Sequence, residues 1–221
     1  LHLSLRRQRQ MCIRDRNDVG STINVNAGSG NVAFSGNVGA TNAVDTFTVE
    51  AAADVSLQNI GGGAAGVDNA SSITNTGTTT FNGTTYKANA QTYTASTGHT
   101  LAAGSTTSFS SSADQILFQT GAITLDSGSN LSVDSAGAAS TLVAITGTGS
   151  ETVSITSGSS SAGAVNVGAI SSVGSVTLES GTDSLTTSSI SAAGAIDLDG
   201  DASITLSLIH ISEPTRQAEM S

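Results

Sequence analysis

Apolar and small polar residues alternate along most of this chain. Ile23-Asn24-Val25, Ile123-Thr124-Leu125, Val153-Ser154-Ile155, Val176-Thr177-Leu178 and Ile196-Asp197-Leu198 each hold two large aliphatic side chains one residue apart. A period of two sets both on one face of a strand and turns the residue between them to the other face. No stretch holds apolar residues at helical spacing for three turns. The β-branched Val, Ile and Thr that fill these runs also suit strands and lower helix propensity. The pattern predicts an all-β chain in which each strand buries one face.

The apolar pairs themselves recur. Leu131/Val133, Val153/Ile155, Val176/Leu178 and Ile196/Leu198 follow one another at 22, 23 and 20 residues. A second series, Ile123/Leu125, Leu142/Ile145 and Val165/Val167, advances by a similar amount, and Ile170 to Ile190 is again 20. Such a period marks a solenoid, in which each turn buries its face only against its neighbours. The expected fold is a parallel β-helix of roughly 20–23 residues per turn. At ~4.8 Å per turn, about eight or nine turns make a rod of roughly 40 Å. Strand spacing alone also permits tandem small β-sandwich modules.

A unit of Gly, any residue, apolar, any residue, apolar starts at Gly30, Gly121, Gly163, Gly174 and Gly194. It reads as a corner where φ turns positive. The first half is less regular. All seven aromatics (Phe34, Phe47, Phe81, Tyr86, Tyr93, Phe109, Phe118) precede residue 119. Gly61-Gly62-Gly63 reads as a loop, and Phe81-Asn82-Gly83-Thr84-Thr85-Tyr86 as an inserted hairpin. The expected organisation is an irregular β-repeat region with aromatics over 17–120 and regular solenoid repeats over 121–205.

Composition changes the picture at the two ends. Among 221 residues there are one Cys, one Pro, two Met, no Trp and seven Lys and Arg. Arg6, Arg7, Arg9, Arg14, Arg16, Met11 and Cys12 crowd into the start, and Pro214, Arg216 and Met220 into the end. Arg6 to Arg16 resembles the in-frame translation of the read-one adapter of a transposase-based sequencing library. Leu206 to Arg216 resembles adapter DNA in the same way. Residues 1–16 and 206–221 are therefore expected to be adapter-derived and non-native, set aside from fold reasoning. The native protein is expected to continue past both. The remaining 17–205 has no Arg, Cys, Met, Pro or Trp, and Lys87 is its one cation against fourteen carboxylates.

That balance, within a chain of net charge −10, excludes a basic nucleic-acid surface. One Cys excludes a disulfide framework, and no apolar run approaches the ~20 residues of a spanning helix.

Candidate chemistry is sparse. His99 is the only imidazole of 17–205, so a Ser-His-Asp triad would need it. Its setting, Thr97-Gly98-His99-Thr100, reads as a surface turn. β-Helix lyases use an Arg or Lys beside calcium, and Lys87 stands alone. Hydrolases need clustered carboxylates. The best cluster is Asp197, Asp199 and Asp201, which alternation places on one side of a strand. It is a weak calcium candidate, and the favoured reading is a solvated acidic corner. Gly62 to Asp68 resembles the Gly-Gly-x-Gly-x-Asp calcium repeat of secreted toxins, with the wrong spacing. Asn69, Asn82 and Asn130 open glycosylation sequons, which a Ser/Thr-rich chain produces by chance. The sequence thus predicts no catalytic residue and no cofactor, calcium being the one open possibility.

Stretches such as Gly30-Asn31-Val32-Ala33-Phe34-Ser35-Gly36-Asn37-Val38-Gly39-Ala40-Thr41-Asn42 and Gly121-Ala122-Ile123-Thr124-Leu125 resemble β-strand-repeat regions of giant bacterial surface proteins. These are of the filamentous-haemagglutinin and autotransporter-adhesin kind. The resemblance spans nearly all of 17–205 and rests on repeat style and composition. It implies a structural stalk of an exported adhesin, on the outer-membrane surface or outside the cell, serving adhesion or biofilm formation. Implied partners are surface glycans or proteins of host or bacterium, with no nucleic acid and no membrane insertion by this segment. The segment would stack on flanking repeats of its own chain. The family's secretion domain and membrane barrel have no counterpart in these residues, so the secretion route stays open. A segment without Cys forms no wrong disulfides in an oxidising compartment, and its negative charge keeps it soluble. Two other classes are compatible with these residues: a β-helix polysaccharide-active enzyme and a calcium-rigidified surface-layer or matrix protein.

Overall fold

The computed structural model describes residues 21–62, 66–112, 114–158 and 163–200, and the backbone of 203–211. Its described elements are all strands. The first are β1 (Ile23–Asn26), β2 (Val32–Ala33), β3 (Phe47–Ala51), β4 (Val55–Leu57), β5 (Val67–Asn75), β6 (Thr78–Phe81) and β7 (Thr85–Ala95). Next come β8 (Gly98–Leu101), β9 (Thr106–Ser110), β10 (Ile116–Thr120), β11 (Ile123–Leu125), β12 (Asn130–Asp134), β13 (Ser140–Leu142) and β14 (Ile145–Thr146). The last are β15 (Thr152–Thr156), β16 (Val165–Val167), β17 (Ile170–Val173), β18 (Ser175–Glu179), β19 (Ser184–Ala192), β20 (Ile196–Asp199) and β21 (Ser203–Ile211).

Every described ladder is parallel, and partners lie one turn apart in sequence. Three faces result. The first stacks β1, β3, the later parts of β5 and β7, then β10, β13, β16 and the start of β19. The second stacks β2, β4, β6, β8, β11, β14, β17 and the end of β19. The third stacks the start of β7 on β9, β12, β15, β18 and β20. It is led in by the single bridges Val38↔Ile60 and Ile60↔Tyr86. This is a parallel β-solenoid. Parallel neighbours need a long crossover between them, and here the other two faces supply it. Tandem antiparallel sandwiches are excluded.

Register partners lie 19 to 26 residues apart, from Leu185↔Ile204 to Ile60↔Tyr86. The spread exceeds the 20–23 expected because corners absorb length while strands keep step. The four pairs from Leu131/Val133 to Ile196/Leu198 do form one ladder on the third face. The second series does not. Ile123 pairs with Ile145 on the second face, whereas Leu142 pairs with Val167 on the first. Similar spacing on adjacent faces had merged two columns into one.

Inward residues form continuous columns, such as Phe109, Val133, Ile155 and Leu178, each with no more than a trace of exposure. The aromatics occupy the same columns. Tyr93 stacks between Ile73 and Phe118, and Phe81 lies between Leu57 and Leu101. Phe81 meets Tyr86, Tyr93 and Phe109 edge-on, with ring centroids 4.9, 5.1 and 5.1 Å away. Residue 120 ends β10, whose ladder continues from β7 on one side to β13 on the other. The last strand, β21, likewise runs across residues 205 and 206 in register with β19.

Two local expectations are corrected. Phe81 to Tyr86 is no hairpin: β6 and β7 leave it toward different faces, each with parallel partners. Asn82-Gly83 is the corner between them. The Gly83 N–H donates to the Tyr86 hydroxyl at 3.0 Å, and that hydroxyl donates to the Leu57 carbonyl at 3.3 Å. Nor do the five glycines that open the short unit have positive φ. Four of them lie against the backbone one turn away. A Cβ on Gly121 would sit 2.4 Å from the Gly98 nitrogen, and one on Gly163 2.4 Å from the Ala138 oxygen. Stacking at strand distance removes the room for a side chain there.

Candidate functional site

The calcium candidate falls on β20. Asp197 and Asp199 are exposed and alternate with half-buried Ile196 and Leu198, as the strand period requires. They stand in register with Thr177 and Glu179. Asp201 lies outside the described residues. Among the described residues no group of three His, Cys, Asp or Glu side chains is placed to hold a metal ion.

His99 overturns its sequence reading. It is fully buried, not in a surface turn. It lies on β8, in register with Thr79 and Ile123, and its Nε2 is 3.1 Å from the Gln119 carbonyl oxygen. Burial holds its pKa below the ordinary imidazole value, and the Gln119 bond works the other way. The flanking Gly98 explains the misreading: it resembles a turn, yet β8 begins there at an extended φ of 159°.

Lys87 lines a depression of about 140 Å³ with Asp68, Asn89 and Ser112, smaller than the ~300 Å³ at which ligand pockets begin. The sequon asparagines are engaged along the ladder. The Asn69 amide donates to Asp45 at 2.6 Å, that of Asn82 to the Ser56 hydroxyl at 2.9 Å, and the Asn130 Oδ1 accepts the Thr152 N–H at 2.8 Å.

The best-built polar features are corners. Ser111, Ser135, Ser157 and Ser180 each follow a third-face strand and are buried. Each N–H donates to a carbonyl one turn on, from Ser111 to Asp134 at 2.9 Å through Ser180 to Asp199 at 2.9 Å. Each hydroxyl closes its own corner, donating to the carbonyl of Asp114, Ala138, Gly163 or Asp183. The serine thus satisfies a carbonyl that leaves the sheet, whether the corner is short or long. The sequence signal was present as apolar-x-Ser at Phe109, Val133, Ile155 and Leu178, masked by the abundance of serine.

Glu151 closes the corner before β15. Its carboxylate accepts the Thr148 N–H at 2.6 Å, the Thr148 hydroxyl at 2.7 Å, the Gly149 N–H at 3.1 Å and the Gly128 N–H of the preceding turn at 3.2 Å. These bonds, the Thr148 hydroxyl first, hold it well below the usual carboxylate range.

Outside, hydroxyls rank along the second face. Ser56, Thr80, Thr100, Thr124, Thr146 and Ser171 are successive register partners. A buried aliphatic and aromatic lumen, sealed polar corners and a hydroxyl-rich exterior define the class: a parallel β-solenoid built of repeats. No known family, curated protein or solved structure matches this chain.

Proposed function

We propose that this chain is a stalk segment of an exported bacterial surface protein, with adhesion or biofilm formation as the role of the whole. The observation that carries the reading is the unbroken parallel ladder from β1 to β19 along the first face. Each turn buries its lumen only against the next, so length can grow without a new kind of contact. The outward Ser, Thr and Asn residues hydrate without basic partners. Lys87 as the sole cation of 17–205 leaves a strongly anionic rod that resists self-association. The reading requires no catalytic residue, no cofactor and no membrane insertion by this segment. Its partners are glycans or proteins at a cell surface, met by other parts of the protein. The adapter-like ends, 1–16 and 206–221, are left out of this role. Re-assembling the gene after adapter trimming tests that exclusion, and reads continuing through Leu206 into the same peptide overturn it.

The functional test is location. Antibodies raised against residues 21–200 should label intact, unpermeabilised cells that express the complete gene. Labelling that appears only after permeabilisation refutes export.

A further inference from the structure

One inward column of the second face breaks its own rule. Val55, Thr79, His99, Ile123, Ile145 and Ile170 succeed one another, and the imidazole sits where later turns place isoleucine. It has no exposed surface. Its Nε2 is matched to a carbonyl acceptor, the Gln119 oxygen, which assigns the proton to Nε2. Nδ1 is buried and has no hydrogen-bond partner. The Phe118 ring stands perpendicular to it at 5.2 Å, and Phe81 lies at 6.4 Å.

The surroundings offer a second proton nothing. β6, β8, β9, β10 and β11 carry no titratable side chain other than His99. β7 brings Tyr86 and Tyr93, both buried in the lumen, and Lys87, which is exposed. The nearest carboxylates in sequence, Asp114 and Asp126, are exposed beyond the strand ends. A protonated His99 therefore has an unpaired N–H and an uncompensated charge among phenylalanines, both costly to bury. In a stack of turns, stability is the sum of each turn and its two interfaces, so such a cost is felt locally.

We propose that His99 is an acid-operated latch in the rod: protonation of its imidazole opens the aromatic segment between β6 and β11, while the turns from β12 onward stay closed. The direction agrees with the depressed pKa of the folded state. A lowered folded pKa means that the unfolded imidazole binds its proton first. The stability from neutral burial is whole above about pH 6.5 and is lost as pH falls below that value toward the folded pKa.

Tyr86 and Tyr93 are the chain's two tyrosines and both pack in this segment, so their near-ultraviolet circular dichroism reports it selectively. In the full chain that signal should be lost as pH falls below about 6.5, while most far-ultraviolet strand signal persists. His99→Ile, which restores the column's usual residue, and His99→Gln should both keep the tyrosine signal across that range. The proposal is overturned if the variants lose it at the same pH as the parent, or if the parent keeps it until its far-ultraviolet strand signal is lost as well. Should both variants fail to fold at neutral pH, NMR titration of the parent's imidazoles decides. A His99 that titrates in step with the tyrosine change supports the latch, and one that titrates without it overturns the latch.

Discussion

Replacing Phe81 by leucine should cost distinctly more than replacing Phe34 by leucine, although both rings are buried. Phe81 presents or receives an edge at 4.9–5.1 Å from Tyr86, Tyr93 and Phe109. Phe34 has one such partner, Phe47, at 5.0 Å. A perpendicular aromatic pair contributes about 0.5–1.5 kcal/mol beyond the area it buries. The shape change from Phe to Leu is common to both sites and largely cancels. Phe81 also meets Phe118 edge-on at 6.0 Å, so it has three more such pairs than Phe34, and their loss leaves an excess of about 1.5–4.5 kcal/mol. Phe81→Ala adds a cavity and belongs at the upper end of the ~3–5 kcal/mol typical of buried Phe truncation. Urea unfolding followed by far-ultraviolet circular dichroism measures all variants by the same signal, with stability taken from midpoint and slope. Equal costs for Phe81→Leu and Phe34→Leu, within about 0.5 kcal/mol, would refute the claim that the lumen's aromatics act as one cluster.

Gly121→Ala should destabilise by about 1–3 kcal/mol through overpacking, because its Cβ would meet the Gly98 backbone. Gly36→Ala, with open space and no positive φ, should be neutral or slightly stabilising; thermal melts of the pair check the contrast. Ser135→Ala should cost about 1 kcal/mol, since its hydroxyl closes the corner onto Ala138, whereas Ser132→Ala on the half-exposed side of β12 should change little in the same melt. The Glu151 carboxylate is held below its usual range, so the stability it confers is present above about pH 4.5 and lost as pH falls further. Glu151→Gln should flatten that part of the pH–stability curve, and a curve of unchanged slope would contradict the corner bonds.

The solenoid was legible because the lumen repeats one chemistry. Leu131/Val133 through Ile196/Leu198 advance by a turn each time, and nothing but stacking explains that spacing. What misled was any residue whose role depends on the turn above or below. Gly121 looked like a flexible corner and is a close approach. His99 followed a glycine and looked exposed, while the columns that bury it are built by Thr79 and Ile123, 20 and 24 residues away. The corner serines were invisible for a different reason: serine fills exposed and buried positions alike here, so composition hides which hydroxyl is sealed. Asp197 and Asp199 were correctly placed on one side of a strand, because alternation alone decides that.

The central claim is that successive turns stack one strand spacing apart, however many residues each contains. Spin labels on a Cys12→Ser background, placed along the outward second-face column of Ala33, Ser56, Thr146 and Ser171, measure this by double electron–electron resonance. The Ser56–Thr146, Ser56–Ser171 and Ala33–Ser171 pairs span four, five and six steps of that column, so their distances should rise as about 19, 24 and 29 Å at ~4.8 Å per step. Distances that do not climb by one strand spacing per turn would contradict the solenoid.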